Sequence, residues 1–335
     1  MQISPETQLF IREHQTDDVR ALALQARKYP NVDMPTAITQ IAGRQVAAEK
    51  IPSWRDTDDI WYPKHLSLEQ CSSEVTARYK ATLLKGNSLT DLTGGFGIDC
   101  AFLAARFKSA TYVERQQELC EIAAHNFPIL NLNHINVKNE DGVSYLQAMS
   151  PVDCIFLDPA RRNEHGGKTV AISDCEPDVA ELEELLLNKA EQVMVKLSPM
   201  LDLSLALKEL QHVQEVHIIS ANNECKELLL ILGQASAEEI SIHCVNLPTR
   251  GAQEEQHFVF TREQEQCSEC NYTDTLENYL YEPNASLLKA GAFRSIASAF
   301  PVKKLHPNSH LYTSDVLVES FPGRAFHIIS QCSLN

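Results

Sequence analysis

The sequence has no apolar run approaching the ~20 residues needed to cross a bilayer, so no membrane-spanning helix is expected. Its first residues, MQISPETQLFIREHQTDD, lack the basic start and hydrophobic stretch of a secretory signal, and the chain reads as cytoplasmic. The ten cysteines lack a repeating framework; in an unexported protein they read as reduced, mostly buried thiols. Internal repeats and low-complexity tracts are missing too. Positive charge is short: 29 Lys and Arg stand against 45 Asp and Glu. The resulting net charge of −16 excludes a generic polyanion binder, because phosphate neutralisation supplies most non-specific nucleic-acid affinity. Residues 283–335 run the other way, with five basic residues against two acidic ones and with His306, His310 and His327 added. An RNA partner would be sought there.

What is present divides the 335 residues into segments. Residues 1–50 carry apolar residues three and four apart and open an N-terminal helical region that ends near residue 70, with Asp33 and Pro35 marking one helix start. The stretch KIPSWRDTDDIWYPKHLS reads as a connector ordered by its two tryptophans. Over 71–235, seven β-rich runs from SLTDLT to ELLLILG alternate with helical ones, which predicts an α/β domain with a parallel, doubly wound sheet of seven strands. The last two runs lie close enough for a hairpin, which predicts one antiparallel strand at the sheet edge. Residues 236–282, with EISIHCVNL and EQHFVFTREQE, read as a small segment of two antiparallel strands. Residues 283–335 add a helix and the strands HLYTSD and AFHIIS, completing a small α+β region.

The stretch DLTGGFGIDC, Asp91 to Cys100, holds three glycines in four residues after the first β-rich run. A dinucleotide fingerprint, G-x-G-x-x-G, would need glycine where Cys100 stands, which counts against NAD or FAD. The spacing acidic-x-x-x-G-x-G fits instead, as Asp91, Gly95 and Gly97. Such glycines permit positive φ and close approach of backbone N–H groups to a ligand. The acid can order the loop and reach a ligand ammonium.

This pattern resembles motif I of the class I S-adenosylmethionine-dependent methyltransferases. The resemblance implies that Asp91, Thr93, Gly95, Gly97 and Asp99 line the cofactor, and that Glu114, ending TYVER, accepts the ribose hydroxyls. It assigns the adenine amine to Asp141, with Glu140 as substitute, although a solvated turn is an equal reading of that pair. It places Gln70, Ser72 and Ser73 at the methionine carboxylate, where a helix-capping serine followed by Glu74 is the competing reading. CIFLDPARR supplies the substrate motif, Asp158-Pro159-Ala160-Arg161, in which Asp158 and the Pro159 carbonyl accept from a target amine. Catalysis is then mainly positioning for in-line attack.

Arg161 stands where amino-methylating relatives carry an aromatic residue, so base stacking must come from elsewhere or from the guanidinium plane. The fifth β-rich run, VMVKLSPML, offers Ser198 and no cysteine, so covalent C5 chemistry is not expected and a base nitrogen is favoured. The loop ARRNEHGGKTVAISDCEPD brings Arg161, Arg162 and Lys168 toward substrate phosphate, or is simply a surface loop. Cys267-x-x-Cys270 has no second pair at zinc spacing, so no metal is expected. EKIPSW, LSLEQCSSEVTARYKA and the C-terminal YLYEPNASLLKAGAF and KKLHPNSHLYTSD are similar to bacterial THUMP-like methyltransferases. That resemblance implies a ferredoxin-like segment at 236–282 and a THUMP-like domain at 283–335 that is expected to be incomplete, since such domains continue further. The leading expectation is methylation of an RNA base nitrogen. Alternatives are a protein or small-molecule acceptor, or a non-catalytic RNA-binding scaffold that keeps the fold.

Overall fold

The computed structural model describes residues 3–161, 171–235, 238–248 and 254–330, and the chain forms two compact units. The first comprises Met1–Asp158 with Glu184–Gln192, the second Pro159–Glu183 with Val193–Asn335.

The first unit opens with helices α1 (Pro5–Glu13), α2 (Val19–Leu24), α3 (Met34–Lys50), α4 (Pro52–Arg55), α5 (His65–Gln70) and α6 (Glu74–Leu83). Asp33 caps α3 by accepting from the Thr36 N–H, with Pro35 in the first turn, as the sequence predicts. Strands β1 (Ser88–Asp91), β2 (Ser109–Glu114), β3 (Ile135–Asn139) and β4 (Val152–Leu157) alternate with α7 (Ile98–Ala104), α8 (Gln117–Ile129) and α9 (Gly142–Ala148). Strand β1 pairs in parallel with both β2 and β4, and β2 in parallel with β3. The order β3-β2-β1-β4 therefore reverses direction beside β1, and open α/β sheets bind ligands beyond the carboxyl ends of the strands at such a reversal.

The second unit begins with a two-stranded ribbon, β5 (Ala160–Arg161) and β6 (Cys175–Glu176). Helix α10 (Val179–Lys189) and strand β7 (Ala190–Leu197) each have residues in both units, and the second unit continues with α11 (Leu203–Glu209), β8 (Val213–Ala221), β9 (Glu224–Gly233), β10 (Ser241–Leu247), β11 (Gln256–Thr261) and α12 (Arg262–Cys267). Strands β8 and β9 form the expected antiparallel hairpin. Its two-residue turn is Asn222-Asn223, both at positive φ, the geometry that matches strand twist.

Among the described residues the main sheet has nine strands, not seven, in the order β11-β10-β8-β9-β7-β4-β1-β2-β3. Because β9 turns back inside β8, the far edge of β8 keeps a row of unsatisfied N–H and C=O groups. Strand β10 fills that edge in parallel, and β11 pairs antiparallel with β10. The antiparallel strand β9 is thus internal, and the two strands expected in a separate segment belong to the large sheet.

A second, four-stranded sheet runs β13-β14-β12-β15, from β12 (Tyr279–Pro283), β13 (Lys303–Lys304), β14 (Tyr312–Ser314) and β15 (Gly323–His327). Every pairing in it is antiparallel. The stretch NYLYEPNASLLKAGAFRSIASAF, whose composition reads as a single helix, is strand β12 followed by α13 (Ala285–Ala290) and α14 (Phe293–Ala299). Asn284 starts α13 by accepting from the Ser286 and Leu287 N–H groups.

Candidate functional site

Asp91, the last residue of β1, is 1% exposed and accepts from the Thr93 N–H at 2.9 Å. Burial pushes its carboxyl well above the usual carboxylate range. The carboxylates of Asp99, Asp158 and Glu114 push the same way, and the Thr93 bond opposes them. Beyond Asp91 the chain makes a tight loop, with the Gly94 N–H on the Val113 carbonyl and the Gly97 N–H on the Gly94 carbonyl, each at 2.9 Å. Gly95 and Gly97 have φ of 53° and 91°, left-handed values that suit glycine, and Gly97 caps α7. At Gly94 the reason is proximity: a Cβ would overlap the Tyr112 ring.

Glu114 ends β2 nearly buried, one carboxylate oxygen accepting from the Gly95 N–H at 2.9 Å and the other from the Gln116 N–H at 2.8 Å. The Tyr112 hydroxyl donates to the Gly95 carbonyl at 2.5 Å. The glycine loop is thus tied to β2 at two points. Asp141 is exposed and caps α9, accepting from the Val143 and Ser144 N–H groups at 3.1 and 2.9 Å. The neighbouring Glu140 donates its N–H to the Glu114 carbonyl.

The two adjacent serines do different work. Ser73 caps α6, while Ser72 turns inward and donates to Asp99 at 2.7 Å. Lys80, wholly buried, donates to Ser72 Oγ at 2.7 Å and pairs with Asp99 at 2.8 Å. Sequence reasoning missed Lys80, because a lysine in a helical stretch reads as solvated. Glu74 accepts from the Ser53 N–H and from Arg78; burial would raise its carboxyl, but these bonds leave it below the usual range. Phe96, at the loop tip, packs edge-on against Trp54 with ring centroids 5.1 Å apart and touches Tyr62 in the same cluster. Gln70 ends α5, exposed.

The β1–β4 register sets Asp91 beside Phe156, so Asp158 lies just past the end of β4. Its N–H donates to Thr93 Oγ1 at 2.6 Å, which fixes it to the loop after β1. Pro159 is buried, and Arg161 pairs through its backbone with Cys175 in the ribbon. Arg162 and Lys168 lie outside the described residues. Asp91, Thr93, Gly95, Gly97, Asp99, Glu114 and Asp158 thus gather around one loop, with Ser72 joined through Asp99. Such a rim of carboxylates, with Asp99 already paired to Lys80, suits a cationic ligand, whose charge favours the ionised form of Asp91, and repels a pyrophosphate.

The basic C-terminal segment is less free than its charge suggests. Lys303 pairs with Glu277, and Arg324 with Glu282. Lys304 is buried and donates to the His306 and Pro307 carbonyls, Lys289 to that of Leu201, and Arg294 to that of Gln266. Each of the five cations already has an acceptor within the chain.

A family model for a ferredoxin-like domain matches residues 279–322, mostly in the stretch expected to be THUMP-like and only at its first residues in the 236–282 segment expected to be ferredoxin-like. A model for protein-L-isoaspartate(D-aspartate) O-methyltransferase matches residues 49–163. A search of curated proteins found no match. Among solved structures, a "putative methyltransferase" from Porphyromonas gingivalis W83 is 36% identical, covering 97% of this chain and 81% of its own at a TM-score of 0.86. An rRNA methylase from Streptococcus thermophilus is 15% identical over 49% of this chain and 95% of its own, TM-score 0.34. SMU.1697c of Streptococcus mutans, in complex with SAH, is 15% identical over 48% and 96%, TM-score 0.35.

Proposed function

The chain belongs to the family of the Porphyromonas gingivalis W83 protein, with a methyltransferase fold, and from that premise we propose that it transfers a methyl group from S-adenosylmethionine to a base nitrogen in RNA. The observation that carries the cofactor reading is the ring of carboxylates, Asp91, Asp99, Glu114 and Asp158, around a glycine loop at the carboxyl end of β1. S-adenosylmethionine, when bound, supplies a methyl group activated by a positive sulfonium and brings an ammonium besides. Asp91 holds the ammonium and Glu114 the ribose hydroxyls. The second lone pair on each Glu114 oxygen remains for this, beyond the bonds to Gly95 and Gln116. Asp141 takes the adenine amine, and Ser72, Gln70, Thr93, Gly95, Gly97 and Asp99 complete the cofactor's surroundings.

Asp158 and the Pro159 carbonyl accept hydrogen bonds from the acceptor amine and aim its lone pair, a positioning role that needs no metal. Arg161 stacks on the base or meets phosphate. The RNA acceptor rests on the Asp-Pro-Ala-Arg motif and on the THUMP-like resemblance of the C-terminal segment, which is an argument by analogy. A protein acceptor is the second reading. The isoaspartate methyltransferase match and the net charge of −16 favour it.

The test is calorimetric titration with S-adenosylhomocysteine, then transfer of labelled methyl groups to total RNA and to total protein. Binding is expected in the wild type and in Asp158→Ala, and lost in Gly97→Trp. Transfer is expected to RNA and to fail in Asp158→Ala. Undiminished transfer in that variant removes Asp158 from the mechanism, and label in protein alone overturns the RNA acceptor.

A further inference from the structure

Strand β8 carries Glu215 and His217 two residues apart, hence on one face. Parallel pairing sets His243 of β10 beside His217, and antiparallel pairing sets His257 of β11 opposite Val245, two residues from His243 on that face. The four side chains meet there. His217 Nε2 lies 3.1 Å from Glu215 Oε2, and His243 Nδ1 lies 3.2 Å from His257 Nε2. The His217 and His243 rings stack with centroids 4.4 Å apart. One ligand atom from each of Glu215, His217 and His243 falls within 4.8 Å of the others. His217 is buried, His243 half-buried, and Glu215 and His257 face solvent, so the cluster is closed inward and open outward.

We propose that Glu215, His217 and His243 bind a divalent transition cation, with His257 orienting the ring of His243. Two imidazoles and a carboxylate form a donor set that suits zinc and its neighbours, whereas magnesium and calcium prefer oxygen alone. At metal–ligand distances of about 2.0–2.2 Å, ligand atoms stand roughly 3–4 Å apart. The cluster therefore needs a contraction of its ligand atoms, with the half-buried His243 ring turning out of its stack on His217 and the half-exposed Glu215 side chain rotating to meet the ion. His243 would bind through Nε2, leaving its Nδ1–H to donate to His257, the outer contact that metal-binding histidines commonly make. The cation would cross-link β8 to β10, and water would fill the open position. None of this depends on the methyl acceptor.

The test uses the full chain carrying Cys267→Ser and Cys270→Ser, which removes a competing pair of thiols, stripped of metal and titrated calorimetrically with Zn2+. One equivalent is expected to bind, with Glu215→Gln and His243→Ala each weakening binding by more than roughly 100-fold and His257→Ala by about 10–100-fold. Co2+ is expected to give a visible absorption band that His243→Ala removes. Glu215 and His257 are solvent-facing, so those two variants keep the fold, checked by circular dichroism. No saturable binding, or binding unchanged in Glu215→Gln and His257→Ala, overturns the proposal.

Discussion

Asp91 sits where burial and three neighbouring carboxylates all favour its protonated form. An acid whose pKa is raised on folding holds its proton more tightly in the native state. Its contribution to stability is full below the ordinary value near ~3.9 and is lost as pH rises through the raised one. Thermal unfolding followed against pH should show wild-type stability falling across that window relative to Asp91→Asn, which should be the more stable protein at neutral pH. The same variant should bind S-adenosylhomocysteine at least about tenfold more weakly, since bonds to charged groups are worth ~1.5–3 kcal/mol. Identical pH profiles would remove Asp91 from this account. Lys80 is the opposite case, a buried cation whose charge Asp99 meets. Lys80→Met should cost about 3–5 kcal/mol in urea unfolding by stranding that carboxylate, and Asp99→Leu added to it should recover part of the loss. An additive double variant would show that the pair is not coupled. At this scale part was legible: motif spacing marks Asp91, and the family resemblance singles out Glu114 and Asp158, which bond to the same loop after β1. Lys80 was not, because its partner Asp99 lies across a chain reversal that helical spacing does not reveal.

Helix α9 begins at a residue with two candidate duties. Asp141 is its cap, and also the acid expected to meet adenine. Asp141→Ala should lose about 1 kcal/mol of stability, while Asp141→Asn, still a good cap, should keep stability and lose only cofactor affinity. If both variants leave affinity unchanged in titration, the cap is its whole role. The alternation of strands and helices was readable from residue 88 to 233 because most β-rich runs carry apolar residues and Asp141, Asp178 and Asp202 mark helix starts. The destination of β10 and β11 was not. Periodicity shows that EISIHCVNL is a strand but is silent on which edge it joins, and that is fixed by β9 turning back inside and leaving β8 open.

For the whole molecule, charge sets the terms of any encounter with RNA. The five cations of residues 283–335 already have acceptors within the chain, two of them carboxylates. RNA binding measured between 50 and 200 mM salt should therefore give a log–log slope shallower than about −3, few phosphates being neutralised. A steeper slope would mean that those internal pairs open on binding. Composition forecast the acidic balance but not this engagement, since Lys303 and Glu277, or Arg324 and Glu282, meet only once the small sheet has folded. The first unit contains a further consequence, in the packing of Phe96 against Trp54. The sequence has two tryptophans, and Trp61 stacks flat on His125 at 3.6 Å, apart from the loop contact. In a Trp61→Phe background, Trp54 is a built-in fluorophore in van der Waals reach of the glycine loop. The arrival of a ligand there becomes an optical event that needs no label.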